Sequence, residues 1–185
     1  MLINISELIY YGLITNEDDK EFLFSDFIRD EQMAKLYEKF VLNFYKTHLD
    51  NQVYNVYSPT LNWNLDQKIN EEVLSILPEM RTDIVVENKD NDTQLIIDTK
   101  YYAQTLVSSH WTDVKKVRTS HLYQILAYVN NSNFNGEIKG MLLYPFIEKE
   151  VNASFPIGGK VIEVRTLDLA KEWEDITERL LLLVM

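Results

Sequence analysis

Apolar residues recur at three- and four-residue spacing between Asp30 and His48, at Met33, Leu36, Tyr37, Phe40, Val41, Phe44 and Tyr45. That spacing is one face of a long helix. A second stripe, Leu169, Trp173, Ile176, Leu180 and Val184, predicts a closing helix that Asp168 can cap. In a third, Leu122, Ile125, Leu126 and Val129 form the expected buried stripe, with His121, Gln124 and Tyr128 on the opposite side and Thr119 or Ser120 as cap. Strand signals differ in period. Leu61, Trp63 and Leu65 alternate with polar residues, and Glu71-Glu72 reads as the start of a strand over Val73 to Leu77. Gly158-Gly159-Lys160 lacks the first Gly and the Ser/Thr of a phosphate-binding loop and predicts a hairpin turn.

The most informative pattern is a pair of β-rich runs, Met80 to Glu87 and Thr93 to Lys100, separated by Asn88-Lys89-Asp90-Asn91-Asp92. Such a polar cluster between two apolar runs predicts a hairpin. If the loop is symmetric about Asp90 and Asn91, Asp83 lies opposite Asp98, and strand period puts Lys100 on the same face. Ile84-Val85-Val86 and Leu95-Ile96-Ile97 are continuous apolar runs, as in strands buried on both faces. Facing carboxylates in such a place destabilise the fold unless paired or bound to a cation. A hard divalent ion takes one or two carboxylates together with water and phosphate oxygens, and a nearby Lys meets developing negative charge. Asp83 with Asp98-Thr99-Lys100 therefore fits a metal-dependent phosphodiester hydrolase.

Composition narrows the setting. The 185 residues, 46% hydrophobic and 25% charged, suit one soluble domain with a sizeable core. Absence of cysteine removes disulfides, thiolate metal sites and cysteine nucleophiles. His48, His110 and His121 have no zinc-ligand spacing. The longest apolar run, Leu180 to Met185, is too short to span a bilayer, and the acidic start is unlike a signal peptide, so a cytoplasmic location is expected. The net charge of −11 argues against a general nucleic-acid coating protein. Basic residues nevertheless gather beside the hairpin: Lys115, Lys116 and Arg118 are the expected contacts to a DNA backbone.

The residues also carry a family resemblance. Met80-Arg81-Thr82-Asp83-Ile84 followed by Leu95-Ile96-Ile97-Asp98-Thr99-Lys100-Tyr101-Tyr102 resembles the core of the PD-(D/E)xK nucleases. Within that superfamily, the Asp-x-Lys-Tyr-Tyr form resembles the McrC-like subunits of modification-dependent, 5-methylcytosine restriction systems. Tyr123-Gln124-Ile125-Leu126-Ala127-Tyr128 is similar to a Gln-x-x-x-Tyr element of the RecB-like branch, and Leu36-Tyr37-Glu38-Lys39-Phe40-Val41 resembles the family's first helix. The likeness spans about residues 30–145. One departure is Thr82, which stands where the superfamily name has Pro.

The resemblance implies an α/β fold with a mixed central sheet flanked by helices: a nuclease domain over 30–185 behind a helical lead-in at 1–29. It further implies Asp83, Asp98 and Glu38 as ligands of Mg²⁺, with Mn²⁺ as a substitute, and Lys100, Gln124 and Tyr128 as the remaining active-site groups. Double-stranded DNA is the implied substrate, and an AAA+ GTPase the implied partner. The expected activity is endonucleolytic cleavage within a restriction system. Its rivals are an autonomous RecB-like exonuclease or junction resolvase, and an inactive interaction subunit for an AAA+ motor.

Overall fold

A computed structural model describes residues 24–102, 106–109 and 112–185. Its elements in chain order are α1 (Phe24–His48), β1 (Tyr54–Tyr57), β2 (Thr60–Leu61), α2 (Glu71–Leu74), β3 (Met80–Arg81), β4 (Ile84–Asn88) and β5 (Thr93–Thr99). Then follow β6 (Leu106–Ser109), β7 (Thr112–Val117), α3 (Thr119–Asn131), β8 (Glu137–Pro145), β9 (Asn152–Ile157), β10 (Lys160–Leu167) and α4 (Trp173–Leu182). Six strands form one mixed sheet in the order β1-β4-β5-β8-β10-β9. β5, β8 and β10 run parallel, whereas β1, β4 and β9 pair antiparallel with their neighbours. The parallel step from β5 to β8 needs a crossover, and α3 supplies it.

Strand periodicity sorts the side chains into two cores. Ile84, Val86, Ile97, Met141 and Leu143 face α1 and α4, where Tyr37, Phe40, Val41, Phe44, Ile176 and Leu180 cover them. Val85, Ile96, Leu142, Ile162 and Val164 face the other way, under Ile125, Tyr128 and Val129 of α3. The helix lies close on the sheet at Gly140, where a Cβ would stand 2.7 Å from Ile125 Cγ1 and 2.9 Å from Ile162 Cδ1. With strands apolar on both faces, the middle of the sheet is dry, and any polar group there requires a partner.

The hairpin register is the expected one. Ile84 pairs with Ile97, Val85 with Ile96, Val86 with Leu95, Glu87 with Gln94 and Asn88 with Thr93. Gly158 and Gly159 form the tight turn between β9 and β10 at φ of 59° and 77°, left-handed values that cost Gly least.

Other expectations are corrected. The strand over Leu61, Trp63 and Leu65 shrinks to Thr60–Leu61, because the chain turns away and Trp63 gives its indole N–H to the Pro78 carbonyl. Val73 to Leu77 is no strand: Asn70 accepts from the Val73 N–H and caps the single turn of α2. Asp168 caps Ala170 in a local turn, and α4 starts later, after Glu172. Helix α1 begins at Phe24 rather than Asp30, and residues 1–23 of the expected lead-in lie outside the described residues. β6 and β7 pair antiparallel, so Lys115 and Lys116 fall on a strand. Among the described residues no helix is long and apolar enough to cross a membrane.

Candidate active site

Three consecutive residues at the end of β5 carry the site. Asp98 and Lys100 share parity with Ile96 and lie on the α3 side, and Tyr101 packs into the opposite core. The Lys100 N–H donates to the Leu143 carbonyl, so sheet pairing with β8 extends to this residue and fixes its backbone. Asp98 is 1% exposed. Its Oδ2 lies 2.6 Å from Lys100 Nζ, an ion pair with both partners largely dry. Among the described residues, Oδ1 has no hydrogen-bond donor.

Asp83 is the residue just before β4, in line with the pairing that sets Ile84 on Ile97. That places it across from Asp98, as expected. Its carboxylate is nevertheless anchored one residue further on: Oδ2 accepts from both the backbone N–H and the hydroxyl of Thr99, each at 2.7 Å. Thr82 explains why no proline stands before it. Buried Thr82 donates its N–H (3.0 Å) and its hydroxyl (2.9 Å) to the Pro59 carbonyl, and its own carbonyl accepts from Ser58 Oγ. Proline could make neither donation.

On α3 the expected faces are redistributed. His121 and Tyr128 are buried together with Ile125 and Val129, while Leu122 and Leu126 are half-buried. The polar residues can face the sheet because each finds a partner there. Gln124 Oε1 accepts from Lys100 Nζ at 2.8 Å, Gln124 Nε2 donates to Tyr128 Oη at 2.7 Å, and Tyr128 Oη donates to the Arg81 carbonyl at 2.9 Å. This relay runs from the lysine to the backbone beside Asp83. His121 Nδ1 meets Tyr144 Oη at 2.8 Å.

The electrostatics show acids crowded together. Burial pushes Asp98 up to about 7, with the Asp83 and Glu38 charges adding to the rise and Lys100 opposing it. Glu38, half-buried on α1, is also raised, first by burial and then by Asp83, against Arg81, Lys39 and Lys35. So α1, the start of β4 and the end of β5 bring Glu38, Asp83 and Asp98 within electrostatic reach of one another. Among the described residues, no three His, Asp or Glu side chains close into a ready cation cage. The donor set is two carboxylates with a third nearby, hard oxygen ligands of the kind Mg²⁺ takes when water and phosphate fill the other positions. Asp98 Oδ1, dry and without a donor, is the group such an ion would satisfy.

The basic residues divide. Arg118 precedes α3 and lies over the Tyr102 ring, 5.0 Å from its centroid. Lys116 on β7 is exposed. Lys115 also falls on β7, opposite Ser108, and its side chain is outside the described residues. Glu71 and Glu72 are exposed on α2, with no described link to the carboxylates. The sequence reading missed two participants. Thr99 was visible only as the middle of Asp-x-Lys, and the Tyr102, His121 and Tyr144 cluster joins residues too far apart in the chain to form a local pattern.

The family model for McrBC 5-methylcytosine restriction system components matches residues 1–145. The type IV methyl-directed restriction enzyme EcoKMcrBC of Escherichia coli strain K12 is 31% identical over 183 residues, covering 97% of this chain and 51% of that protein. The chain thus spans about half the length of that relative. With the family model covering well over half of its residues, the chain belongs to the McrBC 5-methylcytosine restriction system component family.

Proposed function

We propose that this chain is the DNA-cleaving subunit of a modification-dependent restriction system: a Mg²⁺-dependent endonuclease on a PD-(D/E)xK fold, working with an AAA+ GTPase subunit. The observation that carries the reading is the placement of Lys100 Nζ between Asp98 Oδ2 and Gln124 Oε1, beside a buried carboxylate oxygen without a donor. An inert scaffold has no use for such a costly arrangement. Asp83 and Asp98 would hold the ion, with Glu38 near enough to join through water. When bound, Mg²⁺ or Mn²⁺ would polarise the scissile phosphate and acidify a water molecule.

The chain's own residues supply the rest. Asp98 and Gln124 fix the ammonium of Lys100, so its remaining N–H can meet the attacking water or the charge that develops on phosphate oxygens. Gln124 keeps its orientation because Tyr128 receives its amide N–H. Thr99 holds Asp83 at the same height in the hairpin. Preorganisation of this kind costs no reordering at the moment of reaction.

Partner dependence rests on charge. A chain of net −11 can neutralise few phosphates alone, so DNA must be brought to it. Plasmid and linear DNA incubated at low salt with Mg²⁺ test this. Negligible cutting by the chain alone, and cutting when the GTPase subunit and GTP are added, is the expected result. Robust cutting without a partner would favour an autonomous exonuclease or resolvase.

A further inference from the structure

Arg118, just before α3, continues the line of His121, Gln124 and Tyr128 on that helix, and each meets a residue near the strand ends below it. Tyr128 reaches the Arg81 carbonyl and Gln124 reaches Lys100. One turn earlier, His121 lies against the Tyr102 ring, with centroids 4.8 Å apart, and bonds Tyr144. Another turn earlier, Arg118 covers Tyr102 as well. Tyr102 is two residues beyond Lys100 and is 42% exposed. Its ring has Arg118 and His121 as neighbours, which makes it a backing for the guanidinium rather than an open platform for a base.

Arg118 itself is unusual in so acidic a chain. Among the described residues it has no ion-pair partner, and its Nε has no hydrogen-bond partner. His121 adds no competing charge at neutral pH, since burial, then Lys100 and Arg118, lower it to about 4. The line thus borders two cations: Lys100 at the end of β5, held by Asp98 and Gln124, and Arg118, held by an aromatic ring. A guanidinium fixed on a ring keeps its planar fork directed at phosphate oxygens.

We propose that Arg118, backed by Tyr102 and His121, clamps the DNA phosphate next to the scissile one and sets the strand's register over Lys100. This rests on the nuclease reading above, and Tyr102 acts in it as a positioning residue. The test measures binding of a fluorescent duplex to the full chain over a KCl series with Ca²⁺ in place of Mg²⁺. It is paired with cleavage kinetics in Mg²⁺ with whatever partner cleavage requires. Arg118→Ala should reduce the log–log salt slope by about 0.9, the value for one lost phosphate contact, and raise KM about tenfold with kcat within about threefold. Arg118→Lys should keep the slope and lose part of the affinity. Tyr102→Ala should shift KM in the direction of Arg118→Ala, and Tyr102→Phe, which keeps the ring, should recover most of that shift.

An unchanged slope and KM in Arg118→Ala, in a variant melting like the parent, would overturn the clamp. So would a fall in kcat at constant KM. Parental behaviour of Tyr102→Ala would overturn the backing role. Binding is read without cleavage, which separates the two proposals: a chain that shows the Arg118 slope yet never cuts would sink the nuclease, and with it the register role, while an unchanged slope in a chain that does cut would sink the clamp alone.

Discussion

Gln124 on α3 and Lys100 at the end of β5, 24 residues apart in sequence, are joined by a 2.8 Å hydrogen bond from the ammonium to the amide oxygen. The other end of the same amide is committed to Tyr128, so Gln124 can present only its oxygen to the lysine. Gln124→Leu should therefore lower kcat by about 10²-fold with little change in KM, the signature of an interaction made in the transition state. Tyr128→Phe should cost less. The double variant should be little worse than Gln124→Leu alone, since both act through Lys100. Steady-state cleavage rates of the three variants check this, and additive losses would separate Tyr128 from the relay.

Asp98 makes stability depend on pH in a defined direction. Its folded value is raised to about 7, so between the ordinary carboxylate range and pH 7 the folded state binds the extra proton. The stability that Asp98 contributes is full below about pH 4 and is lost as pH rises through about 7. In EDTA at pH 7.5, Asp98→Asn should be more stable than the parent by about 1–2 kcal/mol, the relief from burying a charge outweighing the lost ion pair with Lys100. At pH 5 the gain should shrink. Melting curves at the two pH values decide it, and a variant less stable at pH 7.5 would contradict the crowding of these acids.

Thr82 supplies a structural prediction independent of catalysis. Replacing it with Pro, the residue of the superfamily name, removes both donations to the Pro59 carbonyl in a fully buried place. Thr82→Pro should cost about 2–4 kcal/mol in urea denaturation. Thr82→Val, which keeps the N–H, should cost about 1–2 kcal/mol. Equal stability of Thr82→Pro and the parent would show that the backbone here is not held as described.

The hairpin was legible because two independent signals agreed. The loop from Asn88 to Asp92 left one symmetric register, and the apolar runs on either side made slippage costly. That register alone sets Asp83 across from Asp98. The face of α3 was not legible. Leu122 and Leu126 looked buried by hydropathy, yet His121 and Tyr128 lie deeper because Tyr144 and the Arg81 carbonyl, 23 and 47 positions away, receive them. No local window contains those partners. The turn of α2 was lost for a different reason: Val73 to Leu77 carries strand propensity, but Asn70 caps a helix there and none of the helix residues is buried.

Cleavage by Asp98→Ala tests the central claim most directly. The variant is expected to fold, since the change removes a buried carboxylate that crowds Asp83 and Glu38 while Gln124 still accepts from Lys100. Methylated plasmid, Mg²⁺, GTP and the GTPase subunit are combined with parent or variant, and the rate of linear product is followed alongside melting temperature. A loss of at least about 10²-fold in a variant that melts no lower than the parent is the predicted result. Cutting at the parental rate would contradict the assignment of Asp98 and Lys100 as the catalytic centre.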